Sequence, residues 1–252
     1  MKCKPTINIL GIAFWDDSVE SCYEHLNQKG GLMMAPSGPG LGSIAREKEY
    51  YESVQQADVA IPDSGYMVLL WNLFRRPKIK RLSGLAFINY FVEQFPRETN
   101  RSLLLVNPTP DEQRANVAYL QSLGVAIMEQ DCYIAPLYAK GKVEDAALCA
   151  FIEAKKPDWV LINIGGGTQE ILGAYLKKHL SYQPALICTG AAIAFKTGKQ
   201  VHIPAWADQL YLGWLVRIAS APSKYYKRYL EAIPLLGLIL KYGPREVTHF
   251  QS

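Results

Sequence analysis

Apolar and polar positions along the chain follow two periods. Short apolar runs recur at INILGIAF (7–14), LMMA (32–35), DVAI (58–61), SLLLV (102–106), VAIME (125–129), DWVLINI (158–164) and PALICT (184–189). Each reads as a strand. Helical spacing fills the intervals. SVESCYEHLNQKGG has Asp17 or Ser18 as cap and Gly30-Gly31 as stop. A loop, PSGPGLGS, leads into a helix ending near Gln56, and 65–74 is another. Ser83-Gly84 opens a helix to about Phe95, and PDEQRANVAYLQSLG, KVEDAALCAFIEAKK and TQEILGAYLKKHL complete the set.

Strands alternating with helices predict an α/β fold with a mainly parallel, buried sheet. In such sheets ligands sit at the carboxyl ends of the strands. That rule selects the loops 35–43, 62–65, 106–110, 165–170 and 189–192.

The pattern changes after about Pro204. Trp206, Tyr211, Trp214, Tyr225, Tyr226 and Tyr229 crowd among Leu, Ile and basic residues, with Pro222 and Pro234 as breaks. We therefore divide the chain into a main domain over 1–203 and a helical appendage over 204–252. Aromatics with Lys and Arg on short amphipathic helices suit a membrane interface. A packed helix pair with a solvated basic face is the plainer reading.

Charge sharpens this picture. The 252-residue chain carries a net +4. Between Gln209 and Arg245 six basic residues (Arg217, Lys224, Lys227, Arg228, Lys241, Arg245) face one acidic residue, Glu231. The basic character thus belongs to the tail, which favours an anionic membrane surface and gives no sign of nucleic-acid binding. The five cysteines (Cys3, Cys22, Cys132, Cys149, Cys188) are scattered without a CxxC pair, so reduced thiols are expected. The start, MKCKPTINIL followed by FWDDSVES, lacks the apolar core of a signal peptide. No run of about 18 apolar residues predicts a spanning helix.

Three loops carry candidate chemistry. Asp63 follows the DVAI run and Pro62 and precedes a helix. It reads as an N-cap on local grounds, and as a general base for a hydroxyl if the sheet edge is a site. LINIGGGTQE runs from a strand through Gly165, Gly166 and Gly167 to a helix start, a turn that lets backbone N–H groups approach a diphosphate. It is neither the GxGxxG nor the GxxxxGK[ST] fingerprint, and a tight βα turn explains it equally. Gln169 and Glu170 fall in the first helical turn, within reach of a sugar. The basic run RRPKIKRLSG (75–84) is a solvated face, or supplies an arginine to a leaving diphosphate. The four histidines are isolated, and neither a metal cluster nor a GxSxG elbow is present, so no metal or cofactor is expected.

Taken in order, INILGIAF, ADVAIPDSGYMVLLW, KRLSG, PDWVLINIGGGTQE, GAAIAFKTG and IPAW…LGWLVRIASAPSKYYKRYL resemble the WecG/TagA/CpsF family of bacterial glycosyltransferases over about residues 7–240. The resemblance implies a Rossmann-like domain with a C-terminal appendage that docks on the bilayer. It implies an inverting, metal-independent transfer of a hexosyl or N-acetylhexosaminyl group from a UDP-sugar to a polyprenyl-diphosphate-linked saccharide. That reaction serves capsule, exopolysaccharide or wall-polymer synthesis at the inner face of the cell membrane. It assigns Asp63 as base, Arg81 and Gln169 as active-site partners, and Ser37, Asn107, Gly165–Gly167 and Glu170 to the donor. It places Arg217, Lys224 and Arg228 toward the lipid diphosphate, and it carries self-association as an expectation. The chain departs from the family at Ala35 and Ser37 (usually Thr and Asn), at Val106-Asn107 (paired glycines), at Gly166–Thr168 (Ala-Pro-Lys), at Ala194 (Asp) and at His202 (Arg). These departures motivate an alternative, a non-catalytic relative acting as a scaffold in polysaccharide assembly.

Overall fold

The computed structural model describes residues 5–98, 100–139, 143–190, 192–193, 230–248 and 250, together with Val216, Ser220 and Tyr226. Eight strands form one sheet: β1 (Thr6–Ile9), β2 (Ile12–Trp15), β3 (Gly31–Met34), β4 (Val59–Ala60), β5 (Leu103–Asn107), β6 (Cys132–Ile134), β7 (Trp159–Ile162) and β8 (Ala185–Cys188). Their order is β1-β2-β4-β3-β8-β7-β5-β6. All neighbours are parallel except β1 and β2, which pair Thr6 with Trp15 and Ile9 with Ile12.

The helices are α1 (Val19–Lys29), α2 (Gly38–Ser43), α3 (Lys48–Gln55), α4 (Gly65–Phe74), α5 (Gly84–Gln94), α6 (Pro110–Ser122), α7 (Ala146–Lys155), α8 (Thr168–His179) and, near the chain end, α9 (Pro234–Tyr242). They divide between the two faces of the sheet. Cys22, Tyr23 and Leu26 of α1, Phe87, Ile88 and Phe91 of α5, and Val117 and Leu120 of α6 pack with Met33, Val59, Leu105, Leu161 and Ile187. The opposite strand positions, among them Phe14, Met34, Ala60, Val106, Ile162 and Cys188, pack with α2, α3, α4, α7, α8 and α9. Burial on both faces explains why the central strands read as continuous apolar runs rather than alternating ones.

This is the Rossmann-like α/β architecture expected, with three local differences. INILGIAF is a hairpin, not one strand. Leu10 and Gly11 take φ of 55° and 75°, the two positive values that a tight two-residue turn demands. An apolar Leu there disguises the turn. The run VAIME forms no strand. Val125 and Ile127 are buried side by side in irregular chain, and β6 follows at Cys132–Ile134. The expected loop PSGPGLGS contains α2, started by the Ser37 hydroxyl, which accepts from Gly40 N at 3.3 Å.

The end of the expected appendage belongs to the main core. Leu235, Leu238, Ile239, Tyr242 and Val247 are buried with α4 and the β1–β2 hairpin. Leu10 N donates to Gly243 O (2.7 Å), and Tyr51 links Leu10 O to Val247 N. Arg75 Nη2 donates to Ile239 O and Leu240 O at the C-terminus of α9, where a cation suits the helix dipole. Gly42 abuts Glu231 O so closely that a Cβ there would lie 2.1 Å from it. An apolar helix flanked by basic residues reads as a membrane surface in sequence, but α9 covers α2 and α4. The domain boundary at 204 and most of the stretch after it lie outside the described residues.

Candidate active site

Five strand ends converge at the carboxyl edge: Met34, Ala60, Asn107, Ile162 and Cys188. Asp63 stands just beyond β4. Its predicted job as cap of α4 falls to the next residue. Ser64 Oγ accepts from Met67 N at 3.2 Å, and Ser64 is buried. The Asp63 carboxylate reaches sideways, and its Oδ1 accepts from Gly84 N at the start of α5 at 2.9 Å. Asp63 therefore supplies an anion to another helix's N-terminus, which the dipole favours. Half-buried, it keeps a solvent-facing surface and is held without being sealed.

The basic run 75–84 is a pinned loop. Trp71 Nε1 donates to Pro77 O (2.8 Å), and the Asn72 amide bonds both Ile79 O and Ile79 N (2.9 Å each). The path so fixed brings Arg81 Nε to Asp63 O at 2.8 Å and Leu82 N to Pro62 O. Arg81 thus holds the backbone of Asp63 as well as lying beside it. Sequence reading passed over Asn72, whose only signal was an amide inside an apolar helix.

Gln169 and Glu170 occupy the first turn of α8, as expected, but turn inward. Gln169 Oε1 accepts from Gly190 N (2.6 Å) and its Nε2 donates to Glu170 Oε1 (3.1 Å). Glu170 Oε2 accepts from Gly167 N (2.6 Å). Together they bind the β7–α8 turn to the end of β8, a positioning role. Gly165 and Gly166 are exposed, and a Cβ on Gly165 or Gly167 would meet nothing within 4 Å. Gly167, with φ of 93°, needs glycine for its backbone, whereas Gly165 is small where space is already open. This is the arrangement in which a backbone admits a ligand closely.

On the α5–α6 face the register forms a row of residues: Asn107, Asn163, Thr189 and Ala35. Val106 pairs with Ile162, and the next residues, Asn107 and Asn163, bond directly through Asn163 Nδ2 and Asn107 Oδ1 (3.2 Å). Asn116 of α6 donates to the same oxygen at 2.8 Å. Thr189 and Ala35 flank Gly84, within 3.4 and 3.6 Å of where its Cβ would be. Asp63, Gly84, Thr189, Asn163 and Asn107 thus lie along one edge. Of these, the sequence reading takes Gly84 only as a helix start, Thr189 only as part of the loop 189–192 and Asn163 only as part of a strand. Asn163 and Asn107 were visible as amides closing otherwise apolar strands. Ser37 caps α2 beside Ser64, whose hydroxyl lies 2.9 Å from where a Gly38 Cβ would be. Arg217, Lys224 and Arg228, and the altered positions Ala194 and His202, lie outside the described residues.

Thiol chemistry does not fit this edge. Burial pushes the Cys188 thiol well up, helped by the nearby Glu170 charge, and burial raises Cys22 and Cys149 as well. Cys132 is raised to about 12 by burial and its acidic neighbours. Among the described residues no group of three or more His, Cys, Asp or Glu side chains is placed to hold a metal, and no helix is long and apolar enough to cross a membrane.

The carboxyl edge therefore presents one held carboxylate, an arginine beside it, an open glycine turn at a helix start and a buried amide row. That assembly can deprotonate a hydroxyl and stabilise a departing anion. No curated protein matches the chain. The sequence pattern of the glycosyl transferase WecG/TagA/CpsF family matches residues 7–247, and the chain belongs to that family.

Proposed function

We propose that the protein transfers a sugar from a UDP-sugar to a polyprenyl-diphosphate-linked saccharide, with inversion, in the synthesis of a cell-surface polysaccharide. The observation that carries this reading is the position of Asp63. Ser64 takes over the cap, and Asp63 is left as a held, half-buried carboxylate at the carboxyl edge.

In this reading Asp63 accepts the proton of the acceptor hydroxyl as that oxygen attacks the anomeric carbon. The new C–O bond forms on the face opposite the nucleotide. The bond to the diphosphate breaks, and UDP leaves with the electron pair. Arg81 and the N–H groups of Gly165–Gly167 stabilise the charge that develops there. Gln169 and Glu170 hold that turn in shape. Arg217, Lys224 and Arg228 hold the enzyme to anionic lipid and the lipid diphosphate at the inner face of the membrane.

The test mixes the full chain with short-chain polyprenyl-diphosphate saccharides and a panel of UDP-hexoses, UDP-N-acetylhexosamines and UDP-uronic acids, and follows product mass. One donor is expected to yield an acceptor heavier by one sugar, with inverted anomeric configuration. No product from any combination, with UDP failing to raise the melting temperature, contradicts the reading and favours a scaffold role. The membrane role is tested separately by the triple substitution Arg217→Ser, Lys224→Ser, Arg228→Ser in vesicle co-sedimentation. Truncation at 204 is unsuitable, because it removes α9 from the core.

A further inference from the structure

The amide row at the carboxyl edge is incomplete. Asn107 is 0 % and Asn163 3 % exposed. Asn107 Oδ1 accepts twice, from Asn116 and from Asn163. Its Nδ2 has no partner, and neither has Asn163 Oδ1. The other unpartnered buried polar atoms among the described residues belong to half-buried side chains, those of Asn27, Arg75, Asn89 and Gln113. Asn107 and Asn163 are buried outright, adjacent in register and bonded to each other. Together they offer one free donor and one free acceptor. Reversing all three amides keeps the network and swaps the ends, so the pair still offers one of each.

A fully buried donor and acceptor left without partners are costly unless something pairs with them. The pair adjoins the Gly165–Gly167 turn through Asn163 and lies two strands from Ala35, about 10 Å at the usual strand spacing. That places it at the far side of the site from Asp63.

We infer that Asn107 and Asn163 read the imide edge of the base of the sugar-nucleotide donor, an adjacent C=O and N–H. The carbonyl accepts from Asn107 Nδ2, and the N–H donates to Asn163 Oδ1. The imide of a uracil ring carries this edge, whereas the trans amide of an N-acetyl sugar points its C=O and N–H in opposite directions. This inference rests on the donor reading above. A site built to hydrogen-bond such an edge discriminates strongly, because a ligand without it leaves both groups buried and unpaired.

The test titrates the full chain calorimetrically with UDP, UDP-glucose, UDP-N-acetylglucosamine and CDP. Asn107→Asp keeps the shape and the accepting oxygen but puts a second oxygen where the free donor was. Asn163→Ala removes the free acceptor. Each variant's melting temperature without nucleotide reports folding. If the base is read, both variants lose about tenfold or more in affinity for UDP and both UDP-sugars alike. Asn107→Asp then weakens UDP more than CDP, because the cytosine amino group can donate to the added oxygen and the uracil carbonyl cannot. A loss confined to UDP-N-acetylglucosamine overturns the inference, since the pair would then sense the sugar and not the base. The inference is overturned if both variants, or whichever one folds, bind every nucleotide as the wild type does. It is also overturned if UDP and CDP affinities fall equally along with the melting temperature, the mark of a purely structural pair. Failure of the wild-type chain to bind any of the four overturns the donor reading and this inference together.

Discussion

The two edges of the sheet use the same polar residue types to opposite ends. At the amino edge carboxylates take two or more partners each. Asp158 accepts from Arg101 Nη1, Ser102 N and the Ser102 hydroxyl, at 2.8 to 2.9 Å. Asp58 accepts from Leu32 N (2.9 Å) and pairs with Lys177 (2.7 Å). Glu98 takes the Tyr23 hydroxyl and the Asn27 amide. Each carboxylate ties one element to another. At the carboxyl edge Asp63 holds one backbone N–H with one oxygen, Gly165 faces open space, and Asn107 and Asn163 keep a free donor and a free acceptor. The first edge holds the fold together. The second keeps bonding capacity for something that arrives. Polar residues alone therefore do not mark a site; incomplete pairing at the end where the strands release their loops does.

Substitutions on the two edges should separate stability from activity. The largest effect in the glycine turn is expected of Gly165→Leu. A Cβ there meets nothing within 4 Å, so unfolding free energy is expected to stay within about 0.5 kcal/mol of wild type. Donor binding and turnover fall by about a hundredfold, because a displaced diphosphate is a misaligned one. Gly165→Leu with normal turnover would remove the turn from the site.

Next comes Gln169→Ala, which cuts the buried link between the α8 start and Gly190 and strands the Gly190 N–H. A stability loss of about 1–3 kcal/mol is expected in denaturant unfolding, accompanied by weaker donor binding. Stability loss with unchanged donor affinity would restrict Gln169 to the fold.

At the amino edge, Asp158→Asn should cost about 1–2 kcal/mol, reduced by partial exposure, with turnover unaffected below the melting range. Burial alone would raise this carboxyl, but Ser102 N–H, the Arg101 guanidinium and the Ser102 hydroxyl outweigh it and lower it below its ordinary 3.8. A lowered carboxylate contributes stability that is fully present above the ordinary value and is lost as pH falls through the folded one. The gap between wild type and variant should therefore be flat from neutral pH to about pH 4 and close below it. A gap that persists in more acidic solution would contradict the assignment. Ser37→Ala, which removes only the α2 cap, should cost about 0.5–1 kcal/mol in the same measurement.

Local chemistry made much of this molecule legible. α4 begins and ends where 65–74 predicts, and α6 starts at Thr109-Pro110 because a capping hydroxyl and a proline at the first position specify it. What escaped was non-local. Gly84, the partner of Asp63, lies 21 residues away, and Asn163, the partner of Asn107, lies 56 away. No spacing rule connects either pair. The hairpin at Leu10-Gly11 escaped because an apolar residue occupies a positive-φ position that usually carries Asn, Asp or Gly. The sequence offered the cap and the base to one residue; the structure gives the cap to Ser64 and turns Asp63 to Gly84 N, and the base role is the one proposed above for Asp63.

That division is the central claim, and neighbouring substitutions measure it. The decisive experiment determines single-turnover rate and unfolding free energy for Asp63→Asn and Ser64→Ala side by side. Asp63→Asn keeps an oxygen for Gly84 N–H, so it should unfold within about 0.5 kcal/mol of wild type while transferring sugar at least about a hundredfold more slowly. Ser64→Ala should lose about 1 kcal/mol of stability and keep the wild-type rate on the folded protein. An Asp63→Asn variant that transfers sugar at the wild-type rate would contradict the account.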